Sequence, residues 1–191
     1  MKNELIKMLS STPSLSKAEA IEIVDNINIQ TYKKGTILLK EGMVSKKCYA
    51  VLKGCVREYY IKDGDEKTTA FFTEGQEVVS FTSYANKTPS KHYLSCVEES
   101  TLTVSTPEKE KEMYKRFPKL KVITRTMMEL NSGKIQENLA SFITSSPEER
   151  YKNLLKNRAD LLNRVPQHQI ASYLGIKPES LSRIRKRITS K

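Results

Sequence analysis

The stretch from 167 to 184 carries the most constraining pattern in this chain of 191 residues. Ala171 is small where two helices would touch, Gly175 can adopt a left-handed turn, and Pro178 suits the first position of a helix. These features together predict a helix-turn-helix over Gln167–Arg187, which is favoured over an ordinary helical hairpin. Apolar residues occupy the positions that would lock the two helices at their angle: Ile170, Leu174, Ile176, Leu181 and Ile184.

Positive charge is concentrated in the same part of the chain. Residues 145–191 hold 11 Lys and Arg against 4 Asp and Glu, a net +7 of the total of +11. A basic end favours a polyanionic partner, either nucleic acid or an anionic membrane surface. The alternative explanation is that the charge only aids solubility. No apolar run is long enough for a membrane span or a signal peptide, so we expect a cytoplasmic protein with no membrane partner.

A helix-turn-helix places its second helix in the major groove, with the N-terminal residues of that helix at base edges. Arg183 could donate two hydrogen bonds to a guanine, and Glu179 could accept one from a cytosine. Lys186, Arg187 and Lys191 are better placed for phosphates, although a solvated helix face explains Lys186 equally well. The candidate DNA-binding residues are Gln167, His168, Lys177, Glu179, Ser180, Ser182, Arg183, Lys186 and Arg187.

The sequence from Ile29 to Thr106 consists of short β-rich runs separated by glycines. Asp63-Gly64 is a strong hairpin signal, because both residues tolerate the positive φ angles of a tight two-residue turn. Regular short strands of this kind are typical of an all-β sandwich or barrel. The predicted strands are Thr36–Leu39, Cys48–Leu52, Cys55–Ile61, Thr68–Phe72, Glu77–Phe81, Tyr93–Val97 and Thr101–Ser105.

Helices are predicted on both sides of the β-rich region. Residues 3–28 form one or two short helices that break at Pro13, with Ser16 and Glu19 as a capping box. Residues 147–162 form another helix. It also begins with a capping box, formed by Ser146 and Glu149, and Pro147 suits its first position. Its inward residues are predicted to be Tyr151, Leu154, Leu155 and either Leu161 or Leu162.

A long helix is predicted between Pro118 and Thr144, with two apolar stripes along it. One stripe could pack on the β region and the other on a twin helix, which favours a dimer over a single wide core face in a monomer. The stripe predicted for the dimer interface is Met128, Ile135, Leu139 and Phe142. The second stripe is Ile123, Met127 and Leu130.

The chain resembles the Crp/Fnr family of bacterial transcription regulators over nearly its whole length. The resemblance rests on Tyr49-x-Val51-x-x-Gly54-x-Val56, on Asn138-Leu139-Ala140 in the long helix, and on Glu179 and Arg183 in the second helix of the helix-turn-helix. It implies an α+β protein with three parts. These are a double-stranded β-helix (β-roll or jelly-roll) sensor domain over 1–116, a dimerisation helix over 117–144, and a helix-turn-helix DNA-binding domain over 145–191.

The resemblance implies a homodimer that binds an inverted-repeat operator in double-stranded DNA, with RNA polymerase as a further partner. Pro178 replaces an arginine that the family uses for a base contact, so we expect a different operator. Family members usually continue after the second helix into a β-hairpin wing that contacts phosphates. The sequence ends at Lys191, so we do not expect these wing contacts.

The resemblance also locates an effector pocket, and there this sequence departs from the family. Val79-Ser80 stands where a Gly-Glu pair is expected, and Ser90 stands where the phosphate-binding arginine is expected. Lys91 could attract an anion but lacks the fork of an arginine. We therefore predict a different effector from cyclic AMP, or none. The candidate pocket residues are Gly75, Val79, Ser80, Ser90, Lys91 and Ser132, the last on the long helix.

Other functions receive little support from the residues. Three scattered cysteines do not supply the four ligands of an iron–sulfur cluster. His92 is conceivable as an axial haem ligand, but a lone histidine is usually structural or exposed. A cupin-like metal enzyme would need clustered histidines and carboxylates, and His168 lies in the helix-turn-helix. We therefore expect no catalytic, metal or cofactor site. A ligand-binding module that acts on another protein is the remaining alternative to the DNA-binding regulator.

Overall fold

The computed structural model describes residues 2–10 and 14–189, so the predicted break at Pro13 and the phosphate contact of Lys191 lie outside it. The strands are β1 Asn28–Tyr32, β2 Ile37–Leu39, β3 Cys48–Lys53, β4 Val56–Lys62, β5 Asp65–Phe72, β6 Glu77–Val78, β7 Tyr93–Cys96 and β8 Ser100–Ser105. The helices are α1 Lys2–Ser10, α2 Lys17–Asp25, α3 Phe81–Asn86, α4 Pro107–Arg116, α5 Pro118–Thr144, α6 Pro147–Asn157, α7 Leu161–Arg164, α8 Gln167–Tyr173 and α9 Pro178–Thr189.

The eight strands form two antiparallel four-stranded sheets, in the orders β1-β8-β3-β6 and β2-β7-β4-β5. Alternate residues of β3 point inward, so that Tyr49 and Val51 are buried while their neighbours are partly exposed. The jelly-roll-like part of the predicted α+β fold, followed by a long helix, is therefore confirmed. Its core consists of Leu39, Tyr49, Val51, Val56, Val78, Leu94, Cys96, Leu102 and Val104.

The predicted hairpin joins β4 to β5. Asp63 and Gly64 have φ values of 54° and 82°, and the pairing closes at Lys62 and Asp65. Two positive φ angles in a two-residue loop match the twist of the flanking strands. Both predicted capping boxes are also present, at Ser16 before α2 and at Ser146 before α6.

Two predicted elements were wrong in their extent. The strand Glu77–Phe81 has only two residues, because the Ser80 carbonyl accepts from the Tyr84 amide at 2.8 Å and the chain enters α3 instead. The helix 147–162 ends at Asn157, because Arg158 leaves helical geometry with a φ of −143°. The short helix α7 follows, with Leu161 fully buried.

The long helix α5 packs against its own chain at its two ends, through its first turns and through Phe142 in its last turn. Leu120 and Ile123 contact a small apolar cluster built around Leu15, Ile23 and Phe117. None of the side chains of α5 is buried, and large apolar residues along it are exposed. An apolar helix that a single chain leaves uncovered is typical of an interaction surface.

A pair of glycine substitutions tests the β domain. Gly54 has a φ of +108°, and a Cβ there would lie 2.4 Å from Ser100 Oγ, whereas a Cβ on Gly64 would have no neighbour within 4 Å. Gly64→Ala should lower the free energy of unfolding by about 1–2 kcal/mol, the cost of the left-handed backbone. Gly54→Ala adds about 1–3 kcal/mol of overpacking. Urea unfolding measures both, and equal losses would contradict the close approach at Ser100.

Candidate nucleic-acid interface

Helices α8 and α9 form the predicted helix-turn-helix, and a glycine turn joins them. The amide of Gly175 donates to the Ser172 carbonyl and that of Ile176 to the Ala171 carbonyl, both at 3.0 Å. This pair of bonds is the Schellman arrangement, which requires a left-handed residue; Gly175 has a φ of 70°. Ala171 is completely buried between the helices. The apolar residues predicted to fix the angle between the two helices lie in the core: Ile170, Leu174, Leu181 and Ile184 are buried, and Ile176 packs beside them.

The structure places all nine candidate DNA-binding residues on α8, α9 or the turn between them. Ser180 is half-buried, and the other eight are exposed. One acidic and four basic side chains project from α9, which gives this helix a net positive charge: Glu179, Arg183, Arg185, Lys186 and Arg187. Arg187 also forms an ion pair with Glu148 of α6, so α6 orients one of the three cations predicted at phosphates.

The helix-turn-helix is docked on the β domain, which the sequence did not reveal. Ser172 of α8 accepts a hydrogen bond from the Thr68 amide and donates one to the Glu66 carbonyl, both at 2.9 Å. Tyr173 packs edge-on against Phe71 of the same strand, with 5.3 Å between ring centroids. The first helix of the motif thus lies along strand β5, the edge of its sheet.

A second contact between the two parts is centred on Arg164, at the end of α7. Its guanidinium binds both carboxylate oxygens of Glu74 at 2.8 and 2.9 Å, Glu98 at 2.8 Å and the Gly54 carbonyl at 2.8 Å. These hydrogen bonds lower the pKa of Glu74 to about 2 and raise that of Arg164. Arg158 adds a hydrogen bond to Thr73 Oγ1 at 3.1 Å.

The predicted effector pocket is only partly assembled. The hydroxyls of Ser80 and Ser90 are buried and lie 3.3 Å apart, and Ser90 also donates to the His92 carbonyl at 2.9 Å. Val79 is buried next to them, while Gly75 and Lys91 are exposed. Ser132 is exposed on α5, where it lines an open groove of about 440 Å³ beside α4, together with Tyr114, Lys121, Thr124, Arg125, Met128 and Glu129.

The cysteines and histidines are dispersed in the structure. The Cys48 thiol donates to Glu110 at 2.7 Å, and burial raises the pKa of Cys55 to about 12, so that this thiol stays protonated at neutral pH. His92 lies beside Glu58, with 3.4 Å between their nearest polar atoms. Within residues 2–10 and 14–189, no three His, Cys, Asp or Glu side chains are grouped so that they could hold a metal ion.

Three of the four residues predicted at the dimer interface are exposed on α5: Met128, Ile135 and Leu139. Phe142 lies at the turn of the helix-turn-helix, since a Cβ on Gly175 would be 3.0 Å from its ring. The Arg150 guanidinium covers that ring at 4.3 Å. The C-terminal end of the long helix therefore contacts the helix-turn-helix directly. No helix in the described part of the chain has the length and apolar character to cross a bilayer.

Comparisons with known proteins agree with this architecture. Residues 29–117 match the family model of the cyclic nucleotide-binding domain. A CooA mutant from Carboxydothermus hydrogenoformans is similar in structure, with a TM-score of 0.68 at 15% identity, covering 97% of this chain and 84% of that one. The c-di-GMP responsive global regulator CLP of Xanthomonas campestris also scores 0.68 at 15% identity, covering 87% and 88%.

The Catabolite Activator Protein of Thermus thermophilus has a TM-score of 0.53 at 19% identity and covers 93% of this chain and 85% of that one. No curated protein sequence matches the chain. The domain match and the structural likenesses confirm the predicted resemblance: the chain has a cyclic nucleotide-binding-type domain and the fold of the Crp/Fnr regulators.

Acid should weaken the Arg164 contact in a defined pH range. The pKa of Glu74 is lowered from 4.5 to about 2, so its contribution to stability is complete above pH 4.5 and is lost as the pH falls toward 2. Arg164→Met should therefore destabilise the protein at neutral pH, and the difference from the wild type should shrink between pH 4.5 and 2. Urea unfolding across this range measures the difference, and a gap independent of pH would contradict the assignment.

Proposed function

We propose that this chain, which has the fold of the Crp/Fnr regulators, is a homodimeric transcription regulator that binds an inverted repeat in duplex DNA. The observation that carries the proposal is the exposed, basic second helix of a complete helix-turn-helix. Glu179 and Arg183 project from its N-terminal half, and Lys177 lies directly before its first residue. Residues in this position reach base edges when such a helix enters the major groove.

Each exposed side chain would have a distinct task on DNA. The planar fork of Arg183 suits the two acceptors of a guanine, and the carboxylate of Glu179 suits the amino group of a cytosine. Lys186 and Arg187, one turn farther along α9, would contact phosphates and supply affinity without sequence information. The N-terminal residues Gln167 and His168 of α8 would also face the backbone of the duplex.

The dimer would form along α5. This helix has 27 residues, a length of about 40 Å at 1.5 Å per residue, and presents Met128, Ile135 and Leu139 uncovered. Pairing with the same helix of a second copy would bury this stripe and would bring two helix-turn-helix units to one side. Their reading helices would then meet half-sites about 34 Å apart, one turn of duplex.

The state of the predicted pocket favours an effector other than cyclic AMP. Ser80 and Ser90 stand at the positions that would hold the ribose and phosphate, and their hydroxyls contact each other instead. Neither carries a charge that could balance a cyclic phosphate. A regulator that binds DNA without an effector is the second candidate, and the same contact favours it. We propose no catalytic activity, a cytoplasmic location, and RNA polymerase as a further partner.

Selection of sites from a random duplex library, with purified protein at moderate salt and no added ligand, tests the function. Enrichment of an inverted repeat would support a DNA-binding regulator that needs no obligatory effector. If the folded, dimeric protein enriches nothing, the same selection is repeated in the presence of bacterial metabolite extract. A second failure would contradict the proposed function.

Two substitutions in α9 separate sequence readout from phosphate contact. Glu179→Ala should reduce discrimination at one symmetric base-pair position by about 1–3 kcal/mol and leave the other positions unchanged. Lys186→Ala should weaken binding to all sequences alike and reduce the slope of log affinity against log salt by about one. Titrations of operator variants at several salt concentrations measure both effects. Similar losses across all sequences for both variants would contradict the assignment of Glu179 to a base.

A charge in the apolar stripe of α5 should prevent dimerisation. Leu139→Glu places two carboxylates in the paired helices and should raise the dimer dissociation constant on the order of 100-fold or more. Leu130→Glu is the matched control, because it makes the same change on the second stripe, where Leu130 is also exposed. Sedimentation equilibrium measures both. A dimer that tolerates Leu139→Glu and is lost with Leu130→Glu would assign the interface to the other face.

A further inference from the structure

We infer that the helix-turn-helix is docked as one body on the β domain of its own protomer, and that Ser172 and Arg164 are positioning residues that set the spacing between half-sites. The inference rests on the proposed function for its meaning on DNA. The docking itself depends only on contacts within a single chain. Three independent groups of contacts hold the two parts together.

The first group completes the open edge of a sheet. Strand β5 pairs with β4 on one side only, so its other side presents amide and carbonyl groups without a strand partner. The Ser172 hydroxyl bonds to two of these groups, the Thr68 amide and the Glu66 carbonyl. A single side chain thus serves as donor and acceptor toward the strand edge and fixes the position of α8 along β5.

The second group is ionic. Three turns of the β domain, which contain Gly54, Glu74 and Glu98, converge on the guanidinium of Arg164. The fork of an arginine bonds to both oxygens of one carboxylate, and such bidentate pairs fix orientation as well as distance. With Ser172 on one side and Arg164 on the other, rotation of the docked unit would break one of the two contacts.

The third group is apolar. Cys55, Phe71 and Val97 of the β domain belong to the same buried cluster as the core of the C-terminal helices, including Leu161 and Leu174. Two bodies with independent cores would slide or hinge at low cost, whereas a shared close-packed core resists such motion. The β domain and the helix-turn-helix should therefore move together.

The docked arrangement leaves the reading surface open, because the docking uses Ser172 and Tyr173 of α8 while Glu179 and Arg183 of α9 remain exposed. Docking is therefore compatible with DNA binding. In a dimer it would hold each reading helix at a fixed distance from the β domain of its own protomer. A rigid pair of readers accepts one half-site spacing and rejects its neighbours.

The experiment uses operators that differ only in the number of base pairs between half-sites, and compares Ser172→Ala and Arg164→Met with the wild type. The wild type should prefer one spacing by at least about tenfold. Each variant should reduce that preference to about threefold or less and should keep its affinity for a single half-site. Arg116→Met is the matched control, since it removes an exposed ion pair with Glu22 that does not involve the C-terminal helices. It should keep the wild-type preference.

Calorimetric unfolding without DNA separates failure of this inference from failure of the proposed function. The wild type should unfold in one transition, and the double variant of Ser172→Ala and Arg164→Met in two. If the wild type binds no DNA, the proposed function fails and calorimetry alone decides the docking. Two transitions in the wild type, an unchanged spacing preference in both variants, or loss of half-site affinity would each overturn the inference.

Discussion

The arrangement of the chain depends on one edge of strand β5, which has no neighbouring strand. An uncovered strand edge is a site for pairing with other chains, and its polar groups need partners in any compact protein. Here α8 provides the cover, because a serine stands at the one helical position that faces both Thr68 and Glu66. Once α8 lies on β5, the turn at Gly175 sets the direction of α9, and Glu179 and Arg183 remain exposed on that helix.

The same arrangement explains why α5 remains uncovered. Helices in small proteins usually bury an apolar stripe on their own sheet, but here the C-terminal helices occupy the edge of the sheet and α2 and α4 cover only the first turns of α5. The remaining apolar side chains need a surface of similar length and character. A second copy of α5 has both, so the proposed dimer would follow from intramolecular docking as much as from the stripe itself.

Local features of the fold could be predicted from the sequence, because their causes lie within a few residues. The Asp63-Gly64 turn, the capping boxes at Ser16 and Ser146, and the glycine of the helix-turn-helix each follow from a backbone conformation that only certain residues tolerate. The interruption after Asn157 and the role of Arg164 could not be predicted in this way. Arg164 contacts Gly54, Glu74 and Glu98, which are 66 to 110 residues away, and an arginine on a short helix gives no local sign of them.

The predicted pocket has serine hydroxyls, at Ser80 and Ser90, where the family resemblance implies a glutamate and an arginine. A charged ligand held between the β domain and α5 would need buried counter-charges, and Ser80 and Ser90 supply none. Ser132 lines the open groove between α4 and α5. Because the helix-turn-helix is fixed to the β domain and Phe142 links the end of α5 to Gly175, any change in how α5 packs would reach the reading helices through both routes. In the proposed dimer, control should therefore act on the pairing of α5, whether a ligand or the amount of protein determines it.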